Sequence, residues 1–285
     1  MQTIVITGGT DGIGRALALH QLRRGAHVVA VGSTSAKGEA LLAEADALSA
    51  SGRVDFLRAD LTSVGAAQDL ASAIEDTCAR VDGLVLCAQR YRLFGPRTVT
   101  AEGFEHSFAL AYLSRYVLGH RLRSVLESAP CPVIVNVGTP GVPLGRVHWD
   151  DLQLTRRYGG TRATLQSFRA NDLLGAAFPE LYPDTPIRYI GYNPGVVSTG
   201  MPRHLPQPLR ALVTAVFTVA ATSADKAAAP IAALLETPPD AAFSAYRGTR
   251  RLPLDTRPFR KEDALRLHTL TRGLVDAISP APREE

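Results

Sequence analysis

"TIVITGGTDGIGRALALHQLRRG", residues 3–25, decides the fold. A short apolar run is closed by glycines, and apolar residues then recur at helical spacing until Gly25 ends the segment. The order is strand, tight turn, helix. The same order recurs downstream. "HVVAVG" precedes the helical "SAKGEALLAEADALS". "VDFLRADL" precedes a helix over 64–80. "VDGLVLCA" precedes helical sequence over 102–127, and "CPVIVNVG" and "IRYIGYNPG" are separated by helical sequence over 161–178. Such alternation predicts an α/β fold, a doubly wound, mostly parallel sheet with helices on both faces. Pro and Gly mark joints, and neither a linker nor a repeat divides the chain, so residues 1–285 are expected to form a single domain.

Composition narrows the function. The chain has 285 residues, 46% of them apolar, which suits one large core. Its net charge is only +4 and its basic residues are scattered, so no nucleic-acid partner is expected. Of 31 basic residues only Lys37, Lys226 and Lys261 are lysines, a bias that suggests a GC-rich bacterial genome. Cys78, Cys87 and Cys131 lack metal-ligand spacing and read as buried free thiols of a reducing compartment. The seven histidines form no metal motif either, so no metal is expected. Met1 runs directly into an apolar strand, without a charged leader. The longest apolar run, "ALVTAVFTVAA" at 211–221, is too short for a bilayer, which needs about 20 residues. The expected location is cytoplasmic, with no membrane partner.

Between the first strand and helix, "TGGTDGIG" holds Gly8, Gly12 and Gly14. Such turns also serve plain chain reversal. Placed before a helix N-terminus, however, they let backbone approach a pyrophosphate whose charge the helix end favours. The spacing resembles the TGxxxGxG of the short-chain dehydrogenase/reductase family, a Rossmann fold. "RADL", with Asp60 and Leu61, matches that family's adenine contact. "NPGVVST" supplies Pro194, Gly195, Val197 and Thr199 for the nicotinamide and pyrophosphate side. "GFEHSFALAYLSRYVLGHRL", "VHWDDLQ" and "ADKAAAPIAALLE" are similar to the retinol-dehydrogenase-like branch. The resemblance spans nearly the whole chain and also implies cofactor contacts at Asp11, Ile13, Ser33 and Ala88. At the second strand's end, "GSTSA" lacks the acid that selects NAD in such folds. With Arg15 and Lys37 nearby, NADP(H) is expected over NAD(H), although Asp11 counts against a strongly basic pocket.

The family's catalytic group is Asn, Ser, Tyr and Lys, and the resemblance locates each position. Ala111 stands at the asparagine and Thr139 at the serine, where it keeps a hydroxyl to orient a carbonyl. In "LCAQ", Gln89 replaces a glycine at which the cofactor approaches. Two registers compete for the tyrosine and lysine. One takes Tyr158 and Arg162 as a modified pair, but i and i+4 side chains meet only on a helix, and Gly159 and Gly160 oppose one there. The other begins the helix at Thr161, whose hydroxyl can cap it. It lays AYxxSKxANxL on "ATLQSFRANDL", so that Thr164 replaces the tyrosine and Phe168 the lysine. This register is preferred, and the usual acid/base pair is then absent. Arg90, Tyr91, Arg92 and Tyr112 are further polar candidates near the site. The segment 200–221 occupies the family's substrate-lid position, and its apolar character suits a hydrophobic substrate.

Three functions follow from the resemblance. The first is an atypical enzyme of specialised metabolism acting on an apolar small molecule, an oxidoreductase, isomerase or cyclase. It would perform cyclisation, isomerisation, elimination or hydride transfer to an activated acceptor. The second is an ordinary NADPH-dependent ketone reductase using Tyr158 and Arg162, and the third is a non-enzymatic nucleotide-sensing or binding protein. A homo-oligomer is compatible with each.

Overall fold

The structure is a computed structural model that describes residues 1–48, 50–195 and 223–278. Six parallel strands stand where the apolar runs place them: β1 Thr3–Thr7, β2 His27–Gly32, β3 Arg53–Arg58, β4 Gly83–Leu86, β5 Val133–Val137 and β6 Arg188–Asn193. Between them run α1 Gly12–Arg23, α2 Ser35–Ala47 and α3 Val64–Thr77. The helical sequence after β4 is less regular. It opens as α4 His106–Phe108, passes through a π-helical turn Ala109–Leu113, and continues as α5 Ser114–Arg121 and α6 Arg123–Glu127. α7 Gly160–Leu181 links β5 to β6. Two strands not expected from the sequence, β7 Phe243–Arg247 and β8 Arg250–Arg251, extend the sheet beyond α8 Ala224–Glu236, and α9 Lys261–Asp276 follows.

The strand order is β3-β2-β1-β4-β5-β6-β7-β8, with only β7–β8 antiparallel. Alternate residues of each inner strand feed two separate cores. Val5, Val29, Leu84 and Ile134 pack with α3, α5 and α7, while Ile4, Ile6, Val28 and Val135 pack with α1 and α8. Burial on both faces explains why the strands read as unbroken apolar runs. The order reverses between β1 and β4, and the crevice beyond their carboxyl ends is where such sheets bind ligands.

Several expectations are corrected. α7 begins at Gly160 and its N-cap is Gly159, without a side-chain cap. The Thr161 hydroxyl instead donates to the Leu93 carbonyl at 3.2 Å. Gly160 is no helix breaker here: a Cβ on it would stand 2.0 Å from the Arg92 carbonyl oxygen, so glycine is set by the close approach of the β4–α4 loop. Cys131 is exposed, and only Cys78 and Cys87 are covered. No helix among the described residues is long and apolar enough to cross a membrane. The expected lid, 200–221, and with it Val197 and Thr199, lies outside the described residues.

Candidate active site

The glycine loop is built by packing against itself. Gly8 has φ +67°, and a Cβ on Gly14 would stand 2.3 Å from the Gly8 carbonyl oxygen. Nothing lies within 4 Å of where a Gly12 Cβ would be, so the mouth of the turn is open. The first-turn amides of α1, those of Ile13 and Gly14, have no intrahelical acceptor and suit an anion. Asp11 caps the helix, its carboxylate accepting from the Gly12 amide at 2.8 Å, and also pairs with Lys37. Arg15 pairs with Glu44. Asp11, Arg15 and Lys37 border a cleft of about 330 Å³ lined also by Thr10, Gly12 and Asp225. Ser33 is exposed beyond β2, and Leu61 is buried beyond β3. Asp60 Oδ1 accepts from the Thr62 amide and hydroxyl at 3.0 and 2.9 Å. The Ala88 amide donates to Thr7 Oγ1 at 3.2 Å, and the Gly195 amide, next to Pro194, donates to Asn193 Oδ1 at 2.8 Å. The phosphate end of a dinucleotide therefore fits the residues present.

The other end of the crevice is rebuilt. Ala111 lies buried in the π turn, its carbonyl accepting from Asn171 Nδ2 at 2.7 Å. Thr164 is buried on α7, and Phe168, one turn on, borders a cavity of about 10 Å³ with Gln89, Arg115, Asn136, Thr139 and Asp172. That is room for about one water. Tyr158 precedes the helix, and its hydroxyl donates to Glu105 Oε1 at 3.4 Å. Burial and the Glu105 carboxylate both raise its pKa. Arg162 donates to the Arg157 carbonyl at 3.0 Å rather than to Tyr158. Tyr112 is not at the crevice: its phenol meets Thr271 Oγ1 of α9 at 2.7 Å, within the core. Arg90 is exposed, and Arg92 donates to the Thr98 hydroxyl.

Sequence reasoning passed over Arg115, whose signal was a lone cation in the apolar run "FALAYLSRYVLG", one helical turn beyond Ala111. It is 2% exposed. Its Nη1 donates to Asn136 Oδ1 and, at 2.8 Å, to the Val137 carbonyl. Its Nη2 donates to the Ala88 carbonyl at 3.2 Å and to Gln89 Oε1 at 3.3 Å. None of these acceptors is charged. Asn136 is held in turn, its Nδ2 donating to Asn171 Oδ1 and Tyr189 Oη, each at 2.9 Å. Asp172 was also missed. It accepts from the Gly141 amide and from Arg169 Nη1, both at 3.1 Å, and burial pushes its carboxyl up to about 8 against the pull of Arg169. Among the described residues no cluster of three or more His, Cys, Asp or Glu could hold a metal.

The comparisons agree with this architecture. A family model described as short chain dehydrogenase matches residues 2–209. "Putative daunorubicin C-13 ketoreductase DnrU" of Streptomyces sp. (strain C5) is 31% identical over 203 residues, 71% of this chain and 68% of that one. Retinol dehydrogenase 12 of Bos taurus is 30% identical over 210 residues, 71% of this chain and 64% of that one. A metagenomic short-chain oxidoreductase, solved in complex with NADP, superposes with a TM-score of 0.62 at 23% identity, covering 87% of this chain and 98% of that one. The chain belongs to the short-chain dehydrogenase/reductase family, with retinol-dehydrogenase-like relatives.

Proposed function

We propose that the protein is an NADP(H)-dependent oxidoreductase that transfers hydride between the nicotinamide and an apolar small molecule without the family's tyrosine and lysine. One observation carries the reading: the glycine cradle is intact, while α7 offers Phe168 to the small cavity of the crevice and Thr164 lies buried on the same helix. The bound nicotinamide would supply hydride. The protein's part is to seat the phosphates on the open turn at Gly12 and the first amides of α1, and to orient a substrate oxygen with Thr139. Phe168 cannot bind a ribose hydroxyl or carry charge. The names of the relatives, a ketoreductase and retinol dehydrogenases, favour redox chemistry over cyclisation, isomerisation or elimination. Tyr158, occupied by Glu105 outside the helix, does not support the ordinary tyrosine–arginine reading. We place the enzyme in the cytoplasm, with a small-molecule substrate and no nucleic-acid or membrane partner, a reading with which a homo-oligomer is compatible.

The test follows NADPH absorbance with a panel of apolar aldehydes, ketones, quinones and iminium ions. We expect oxidation with at least one class, and a Tyr158→Phe variant within a few-fold of the wild type. Tight NADPH binding with no oxidation across the panel would replace the redox reading by a non-redox enzyme or a nucleotide sensor.

A further inference from the structure

Tyr91 lies on the loop between β4 and α4, and its ring meets Phe168 edge-on, with centroids 5.8 Å apart. Phe168 and Thr139 line the same small cavity at the carboxyl ends of the central strands, and Arg115 forms part of its wall. This loop is fixed from below: Gly160 admits the Arg92 carbonyl, and Thr161 donates to the Leu93 carbonyl. The Tyr91 ring is thus held against Phe168 of α7, beside the cavity that Phe168 and Thr139 line.

Arg115 is suited to act through its field rather than as a ligand fork. A guanidinium has five N–H donors, and Nη1 and Nη2 already make four hydrogen bonds to neutral acceptors. Nε is buried and has no hydrogen-bond partner among the described residues. An arginine keeps its charge under these conditions, and a buried charge without a counterion is costly. An anion that forms nearby during reaction relieves that cost. Asp172 is a poorer proton source, because its carboxyl already accepts from Gly141 and Arg169.

We propose that Tyr91 is the proton donor of this site and that Arg115 is the positioning cation that stabilises its phenolate. The proposal rests on the redox reading above. A bound reduced nicotinamide would supply hydride to the carbonyl carbon, and the C=O π pair would move to oxygen. That oxygen takes the Tyr91 proton, and solvent reprotonates the phenolate. The Thr139 hydroxyl and the Arg115 charge already oppose the rise in pKa that burial imposes on Tyr91.

Two measurements test it, one without turnover. With 3,5-difluorotyrosine at position 91, the ¹⁹F shift of the cofactor-free protein is titrated in the wild-type background and with Arg115→Gln. Removing the cation should raise the midpoint by half a unit or more, and an unmoved midpoint overturns the role of Arg115. Tyr91→Phe should lower kcat for carbonyl reduction by about a hundredfold or more, the contribution of a positioned acid, with NADPH affinity unchanged. A kcat within threefold overturns Tyr91 as donor, even if Arg115→Gln fails to fold. A wild type that oxidises no NADPH overturns both the redox reading and Tyr91 as donor. A kcat unmoved in an active enzyme overturns the donor alone.

Discussion

Asp172 shows how one residue can hold two opposed influences. The residue is only 3% exposed, and its carboxyl receives an arginine N–H at 3.1 Å, which favours ionisation. Burial acts first and in the other direction, raising its pKa to about 8 from an ordinary value of 3.8. We side with burial, because Arg169 also spends donors on the Gly145 and Val142 carbonyls, at 3.0 and 2.9 Å. A carboxyl whose pKa is raised by folding binds its proton more tightly in the native state, so stability falls as pH rises between the two values. Urea unfolding should therefore show a decline from about pH 4 to about pH 8 that Asp172→Asn reduces, since asparagine still offers Gly141 an acceptor. If the variant instead loses ground to the wild type as pH rises, the ion pair outweighs burial. The same residue illustrates what a sequence conceals. "RAND" names an arginine and an acid three apart, an ordinary surface pair on a helix, and nothing in it says that this face is covered by residues 141–145.

At the scale of elements, caps come from outside the helices they serve. Ser63 caps α3 by accepting from the Ala66 amide at 3.1 Å. Glu102, far along the chain, accepts from the Ser63 hydroxyl and the Val64 and Gly65 amides at 2.7, 2.7 and 2.9 Å. A carboxylate at a helix N-terminus satisfies orphan donors and complements the dipole. Glu102→Ala should cost about 1–2 kcal/mol in denaturant unfolding, with Glu102→Gln costing less, and a change below about 0.3 kcal/mol would show that water substitutes for it. The strands and α1 to α3 were legible because local pattern and tertiary burial agree in them. α4 and α5 were not: an apolar run at helical spacing does not reveal the π turn around Ala111, whose carbonyl accepts from Asn171 on α7. β7 and β8 escaped because "FSAYRGTRR" carries only a few apolar residues before its turn. Glycine at 160 was misread for a related reason. Its cost in a helix is local, while the Arg92 carbonyl that requires it comes from the loop between β4 and α4.

At the scale of the whole molecule, the two ends of the crevice are held differently, and we expect cofactor choice to be made at the outer one. Arg15 and Lys37 pair with Glu44 and Asp11. Both pairs are partly exposed, with side-chain exposures of 43% and 35% in one and 52% and 70% in the other. Such pairs contribute little, about 0–1 kcal/mol, because water and salt screen them. Either cation can therefore turn toward a 2′-phosphate at small cost, while "GSTSA" offers no acid to hold ribose hydroxyls instead. We expect NADPH to bind more tightly than NADH, measured by quenching of Trp149 or by calorimetry. Each charge-assisted contact to phosphate is worth about 1.5–3 kcal/mol, so Lys37→Gln or Arg15→Gln should cut NADPH affinity roughly tenfold or more and leave NADH almost unchanged. Glu44→Gln, which releases Arg15, should tighten NADPH alone. Raising the salt concentration should erode the NADPH advantage, because exposed charges are screened over about 10 Å at 0.1 M. Equal binding of the two cofactors, or a preference indifferent to salt and to both substitutions, would mean that the phosphate does not reach this pair of cations and that selectivity is set elsewhere in the chain.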